Sequence, residues 1–190
     1  MRALVAAASL LTAFALPAGA EAAGELMLFR ADADARVQQA RPSTNYGSGS
    51  LRVDGGGDPP IESYLRFRVS GLSGPVASAR LRLWSTSGTV DGLTAHAVTG
   101  PWEESTVTWS SRPARETAVL ADLGTVATGS VVELDLSSHV TGNGTYDFAL
   151  MPQSSDGANF SSREASSTPA PELIVELAGA GAPPPAPPPP

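Results

Sequence analysis

Short stretches in which apolar and polar residues alternate make up most of this chain. Along residues 63–69 every second side chain is apolar; these are Leu65, Phe67 and Val69, and the intervening ones are Tyr64, Arg66 and Arg68. Residues 79–84 repeat the pattern, with Ala79, Leu81 and Leu83 opposite Arg80, Arg82 and Trp84. A third such stretch covers residues 173–177. A period of two with one apolar face is typical of a strand that has one face in a core and the other in solvent.

The rest of the central region has the same character. Further strands are predicted near residues 26–30, 34–37, 50–53, 91–98, 117–122, 130–135, 145–151 and 158–163. Turn signals rich in Gly, Asn and Asp separate them, and a single helical turn is predicted at residues 136–140. Many short strands with Gly-rich turns predict an all-β fold, a β-sandwich of the jelly-roll type.

The two ends of the chain depart from this pattern. Residues 1–20 resemble a secretory signal peptide, with Arg2, an apolar run and a small-residue cleavage site after Ala20, or alternatively after Ala22 or Ala23. The apolar run is short for a transmembrane span, so a retained anchor is the less favoured interpretation. Residues 179–190 are rich in Ala, Gly and Pro, and a polyproline segment forms an extended spacer. We therefore expect a secreted protein, extracellular or at the cell surface, with one domain over residues 25–178 and a linker or tail after it.

The charge of the chain argues against a nucleic-acid partner, and its cysteine content excludes disulfide bonds. The formal net charge is −7, all 12 basic residues are Arg, and there is no Cys. An acidic protein repels phosphate backbones, so we expect no nucleic-acid partner. Without Cys there is no disulfide framework, and the hydrophobic core alone must hold the domain together. We expect a monomer that has no membrane association once the signal peptide is removed.

Two of the three Trp residues lie close together. Trp102 and Trp109 flank a β-branched run, and Arg112-Pro113 closes the stretch. A Trp side chain buries a large apolar area and needs a partner for its N–H, so the pair marks either an anchor of the fold or a stacking surface for a ligand. The structural role is favoured for both. The alternation over residues 107–109 predicts that Trp109 lies in the core and that Trp102 is partly exposed.

A series of short segments follows an order and spacing that is typical of one family. The segments are Asp34-Ala35, Thr44-Asn45-Tyr46-Gly47, Ser63–Phe67, Ala79–Leu83, Trp102–Pro113, Phe160–Glu164 and Pro171–Leu173. Together they resemble the DNRLRE domain, also classed as carbohydrate-binding module family 96, over residues 29–178. The resemblance implies a secreted, non-catalytic β-sandwich module that binds alginate-type polysaccharide and is fused to, or acts beside, an enzyme domain or a surface protein. The sequence departs from the family pattern at Arg36, where an aromatic residue is typical, and at Arg68-Val69, where Asp-Leu is common.

The two Arg-rich strands suggest a binding surface. The linker of residues 70–78 is short, which predicts that the two strands are antiparallel neighbours in one sheet. Their polar residues would then share one face; they are Tyr64, Arg66, Arg68, Arg80, Arg82 and Trp84, with Trp102 as an outside candidate. Guanidinium groups suit bidentate binding of carboxylates, and aromatic rings suit stacking on sugar rings, so such a face fits a uronic-acid polymer.

The same residues have a simpler interpretation. Arg residues on a solvated strand face are ordinarily paired with nearby acids and bind nothing specific. In that case the protein would be a structural or adhesive surface domain, with the polyproline segment as a stalk. A panel of polysaccharides distinguishes the two hypotheses.

A structural calcium ion is the one candidate cofactor. Asp32 and Asp34 alternate near the first strands, and residues 54–58 form an acidic turn. Calcium prefers several carboxylate and carbonyl oxygens, so Asp32 and Asp34 are the candidate ligands. The alternative is that Asp serves only as a turn former.

Catalysis has little support in the sequence. His96 and His139 lie in different segments, and neither a Gly-x-Ser-x-Gly turn nor a phosphate-binding loop is present. Glu103 and Glu104 are adjacent, so on a strand they would point to opposite faces and not act as a pair. We therefore predict a protein that is not an enzyme; a polysaccharide lyase or hydrolase is the least favoured alternative.

Overall fold

A computed structural model describes residues 24–56 and 59–179, which form eleven strands and no helix. The strands are β1 (Leu26–Arg30), β2 (Ala33–Gln38), β3 (Leu51–Val53), β4 (Ile61–Val69), β5 (Val76–Ser87), β6 (Leu93–Ala97), β7 (Ala121–Leu123), β8 (Val131–Asp135), β9 (Gly144–Pro152), β10 (Ala158–Phe160) and β11 (Glu172–Leu177). Every predicted strand is present. The predicted signal peptide, almost all of the predicted tail, and residues 57 and 58 of the acidic turn lie outside the described residues. None of the described segments forms a helix of the length and apolarity needed to cross a membrane.

The strands form two antiparallel sheets. One has the order β1-β11-β5-β10-β3, with β8 also paired to β5, and the other has the order β2-β4-β9-β6-β7. Within them, the set β1-β11-β5-β8 faces the set β4-β9-β6-β7, which is the strand order of a jelly roll. The β-sandwich predicted from the alternation is therefore confirmed.

The core lies between the two sheets and is built from the inward-facing apolar rows. Leu65 and Phe67 of β4 and Leu81 and Leu83 of β5 are fully buried there. The rings of Phe67 and Phe148 are tilted against each other with centroids 6.3 Å apart. Full burial of one such side chain stabilises the fold by about 1.5–3 kcal/mol, so these rows supply the stability that no disulfide provides.

The predicted pairing of β4 with β5 is wrong, because the two strands lie in different sheets. Residues 70–75 carry the chain from one sheet to the other, with Gly71 at a φ of +79°. Packed sheets are only about 10 Å apart, so a short linker can cross between them as readily as it can close a hairpin. Since the apolar rows of β4 and β5 face each other, their polar rows point to opposite outer surfaces.

A long excursion between β6 and β7 shields one of these surfaces. Residues 99–114, here named the Trp loop, fold over the outer surface of β2, β4 and β9, here named the covered face. A second apolar cluster forms between loop and sheet; it comprises Ala33, Ala35, Val37, Tyr64, Trp102, Val107 and Ala149, with Val98, Trp109 and Met151 packed against it. The outer surface of β1, β11, β5 and β8 is here named the open face.

Candidate functional site

The predicted binding residues separate into two groups. Tyr64, Arg66 and Arg68 belong to the covered face, where Trp102 packs on Tyr64 and Arg66, whereas Arg80, Arg82 and Trp84 belong to the open face. The hypothesis that all of them share one surface is therefore wrong. The error lies in the predicted pairing of β4 with β5. Within each strand, apolar and polar residues alternate as predicted.

At the centre of the covered face, Trp102 and Arg66 share one acid. Asp147 Oδ1 accepts hydrogen bonds from Trp102 Nε1 at 2.7 Å and from Arg66 Nε at 2.7 Å. Arg66 Nη2 also donates to the Trp102 carbonyl at 3.0 Å, and the guanidinium lies 4.9 Å from the centroid of the Trp102 ring. Because their polar groups are already paired within the protein, Arg66 and Trp102 attach the Trp loop to the sheet.

The exposures predicted for the two Trp residues are reversed. Trp102 is only 5% exposed, and Trp109 is half-buried at the rim with the Arg112 guanidinium 3.8 Å from its ring centroid. Residues 102–113 form turns and not a strand, so the alternation rule does not apply to them. Tyr64 lies beneath the loop and donates to Glu62 Oε2 at 2.7 Å; burial and the neighbouring carboxylate raise the Tyr64 pKa far above its usual range.

The Asn45-Tyr46-Gly47 segment holds the Trp loop from its other side. Asn45 Nδ2 donates to the carbonyls of Glu104 and Val107, both at 2.7 Å. Asn45 Oδ1 accepts from the Gly47 N–H at 3.2 Å, which fixes the turn. A Cβ added at Gly47 would collide with the Glu104 carbonyl oxygen, so only Gly allows this approach. The segment that looked like a turn signal therefore has a tertiary role.

Arg68 and Asp32 form an exposed ion pair at the edge of the covered face. Arg68 Nε lies 2.8 Å from Asp32 Oδ2, and the two side chains are 67% and 41% exposed. The hydrogen bond to Asp32 and the negative charge of that carboxylate raise the pKa of Arg68. Asp32 is thus engaged by an arginine, apart from the group of carboxylates that contains Asp34.

Asp34 is buried in a group of three carboxylates, here named the acidic cluster, with Glu104 and Glu164. The Asp34 N–H donates to Glu104 Oε1 at 2.8 Å, and Asp34 Oδ2 accepts from the Arg163 N–H at 2.7 Å. Arg163 Nη1 lies 2.8 Å from Glu104 Oε2 and 3.3 Å from Glu164 Oε1. Burial is the main reason that the Asp34 pKa is raised to about 7, with the two glutamates adding to it.

The sequence interpretation missed Glu104, Glu164 and Arg163. A signal was present, because all three belong to segments that carried the family resemblance. The acidic cluster is where Asp34-Ala35, Trp102–Pro113 and Phe160–Glu164 meet, a convergence that only the fold creates.

Charges on the open face alternate from strand to strand. The register places four residues in one row across β1, β11, β5 and β8; in order they are Arg30, Glu172, Arg82 and Glu133. Arg82 lies 2.8 Å from Glu133, while the Arg80 Nε approach to Glu133 is 3.6 Å. Opposite charges across strands stabilise a sheet, so the row has a structural role of its own.

An open groove lies beside this row. Its volume is about 470 Å³, and it is lined by Arg82, Leu83, Trp84, Val131, Pro169, Ala170 and Glu172. Trp84 is half-buried and pairs with Val131 across β5 and β8. The groove thus combines an accessible aromatic ring, a guanidinium and a carboxylate.

Comparison with known families decides the class of the protein. A family model described as carbohydrate-binding module family 96 matches residues 25–177. This chain belongs to carbohydrate-binding module family 96. A search of the curated proteins gave no match. The resemblance found in the sequence is confirmed, and with it the class of carbohydrate-binding module.

For this family 96 module, the two outer surfaces are unequal candidates for the carbohydrate. On the covered face, Tyr64 and Trp102 are buried and Arg66 is 13% exposed, so a sugar ring has no access to them. On the open face, Arg82 and Trp84 remain accessible beside the groove. The open face is therefore the candidate site.

Proposed function

We propose that this family 96 module binds a polysaccharide chain on its open face, with one sugar ring in the groove beside Trp84. The observation that carries the proposal is the accessible indole ring next to Arg82 and Glu172 in a groove of about 470 Å³. A pocket of this size, lined by an aromatic ring and a few polar groups, is typical of small-ligand sites. The ring would stack on sugar C–H groups while Arg82 and Glu172 hydrogen-bond to the hydroxyls.

We further propose that chains containing uronic acids bind best. Arg82 Nη1 is 3.9 Å from Glu172 Oε2, and Arg80 Nε is 3.6 Å from Glu133 Oε2. Both separations exceed hydrogen-bond length, so Arg82 Nη1 can turn to a substrate carboxylate. Arg80 Nε is itself buried, so Arg80 would reach a carboxylate only through the exposed part of its side chain. The row of alternating charges on the open face limits this preference for uronic acids, because the acids Glu133 and Glu172 lie on either side of Arg82. We therefore expect the groove to bind one substrate carboxylate at a time. The sequence hypothesis of four guanidinium groups on one face would have allowed several.

The biological role we propose is tethering outside the cell. A non-catalytic module that holds a polysaccharide raises its effective concentration near a fused or neighbouring enzyme. The predicted signal peptide supports the secreted location, and the family supports the binding role.

Affinity electrophoresis on alginate, pectate, xylan and neutral glucans tests the site. We expect retardation on the uronate polymers, weakened by salt. Trp84→Ala should weaken it by about tenfold or more, the loss expected for one central aromatic anchor. The double variant Arg80→Ala/Arg82→Ala should weaken binding to uronates more than binding to neutral chains.

The matched control is Arg68→Ala, which removes an exposed, acid-paired arginine from the opposite surface. It should migrate like the wild type. If Arg68→Ala abolishes retardation and Trp84→Ala does not, the carbohydrate binds on the covered face and our assignment is wrong. Melting temperatures of all variants distinguish loss of binding from loss of fold.

A second candidate, a structural or adhesive domain, is favoured by one observation: Arg82 is already ion-paired across the strands with Glu133. Absence of retardation by every polymer would support it. Release of reducing ends or unsaturated products from any polymer would instead show catalysis, against the proposal of a non-catalytic module.

A further inference from the structure

One buried oxygen of Asp34 has no partner. Asp34 is fully buried, yet its Oδ1 receives no hydrogen bond from any described residue. A buried carboxylate oxygen without a donor is costly, and buried acids in proteins are normally paired or bound to a metal. Either a bound cation or a proton on the carboxyl group is therefore expected at this position.

The surroundings of that oxygen are carboxylates. Asp34, Glu104 and Glu164 each offer a ligand atom, and these atoms lie within 4.8 Å of one another. Arg163 supplies one positive charge to the cluster through Glu104 and Glu164, but its guanidinium forms no ion pair with Asp34. Three carboxylates with one guanidinium leave a negative site that a cation would neutralise.

We propose that Asp34, Glu104 and Glu164 bind one Ca²⁺ ion. An all-oxygen set of carboxylates is the chemistry of a hard cation, and calcium tolerates irregular geometry completed by water, whereas magnesium demands a near-ideal octahedron. Glu164 is exposed and gives the ion a route from solvent. Asp34 is retained from the ligands predicted from the sequence, and Asp32 is replaced by the two glutamates.

The ion would join three parts of the chain that are distant in sequence. Asp34 lies on β2, Glu104 in the Trp loop, and Glu164 in the segment after β10. Binding would therefore stabilise the covered face and the segment after β10, which also supplies Pro169 and Ala170 to the groove beside Trp84. A proton on Asp34 is the competing way to satisfy Oδ1, and it needs no metal.

Calorimetric titration of the chelator-treated, full-length protein with CaCl₂ and with MgCl₂ tests the site. We expect one calcium per chain and weaker magnesium binding. At calcium concentrations about 100 times the dissociation constant, the melting temperature should rise by about 5–10 °C. No heat and no rise at millimolar calcium would overturn the proposal in favour of protonated Asp34.

Variants locate the ion. Glu164→Gln changes an exposed residue and should weaken calcium binding by at least about tenfold, since it removes one charged ligand. Asp34→Asn should abolish it. Glu103→Gln, the adjacent exposed glutamate, should leave binding unchanged. Calcium binding that survives both ligand variants would place the ion elsewhere and overturn the assignment. Trp84→Ala should retain calcium binding, so this proposal and the polysaccharide proposal can fail independently.

Discussion

Among single residues, Asp147 connects the sheet to the Trp loop at the centre of the covered face. Its Oδ1 accepts from both Arg66 and Trp102, two groups that the Trp loop removes from solvent. Arg66 is 13% exposed, so the loss of its acid would leave a nearly buried guanidinium without a counter-ion. Removing one partner of such a pair costs far more than removing a surface partner.

We predict that Asp147→Ala lowers the free energy of unfolding by about 3 kcal/mol, because one buried charge and one indole N–H lose their acceptor. Urea denaturation measures this change. The matched control is Asp32→Ala, whose partner Arg68 is 67% exposed, and it should cost no more than about 1 kcal/mol. Equal losses in the two variants would contradict the structural role given to Asp147.

At the scale of elements, the Trp loop is a long irregular segment held by side chains. Asn45 binds two of its carbonyls, Arg66 a third, and Glu104 accepts from the β2 backbone. These contacts occupy polar backbone groups that would otherwise lie unpaired over an apolar cluster. The motifs that identified the family are therefore largely those that attach this loop to the sandwich.

Gly47→Ala tests the attachment. The added methyl would overlap the Glu104 carbonyl, so backbone must shift, and we expect a loss of about 1–3 kcal/mol in stability. Hydrogen–deuterium exchange should show that the Trp loop exchanges faster in Gly47→Ala than in the wild type, with a smaller change in the β4–β9 ladder.

The control for this variant is Gly74→Ala, where a Cβ would meet nothing within 4 Å. It should be neutral or slightly stabilising. Unchanged exchange of the Trp loop in Gly47→Ala would show that the loop does not depend on this close approach.

At the scale of the whole molecule, the jelly roll determines which residues can cooperate. Since β4 and β5 lie in different sheets, their apolar rows meet in the core and their arginines are separated by the thickness of the sandwich. The charged row of the open face and the ion pairs of the covered face are therefore independent. When substitutions in the two are combined, their changes in the free energy of unfolding should add.

Neighbouring residues of β4 should differ sharply in their effect on stability. Phe67→Ala removes a fully buried ring that packs on Phe148, and we predict a loss of about 3–5 kcal/mol in the free energy of unfolding. Arg68→Ala, one position further on, should change it by less than about 1 kcal/mol because its ion pair is exposed. Denaturant titration of both variants measures the contrast, and similar losses would contradict the alternation on which the fold rests.

Much of the fold was predictable because strands depend on local pattern. The alternation over residues 63–69 and 79–84 shows which side chains of β4 and β5 face the core between the sheets, and the structure confirms it. It did not show that Tyr64, on the outer face of β4, is buried by the Trp loop. The Trp residues were placed wrongly because residues 102–113 form turns, where no periodicity relates neighbouring side chains to a face. Glu104 and Glu164 were missed as partners of Asp34 because nothing local connects three segments so far apart.

The sequence by itself determined the all-β class, the inner and outer faces of β4, β5 and β11, and the family, since these depend on side-chain period and on short motifs. The tertiary structure alone decided that the two arginine rows lie on opposite surfaces and that Trp102 is buried. It also decided that Asp34 meets two distant glutamates. The physical reason is that a linker of a few residues can join strands within a sheet or across the core. The choice between them depends on the packing of the whole sandwich.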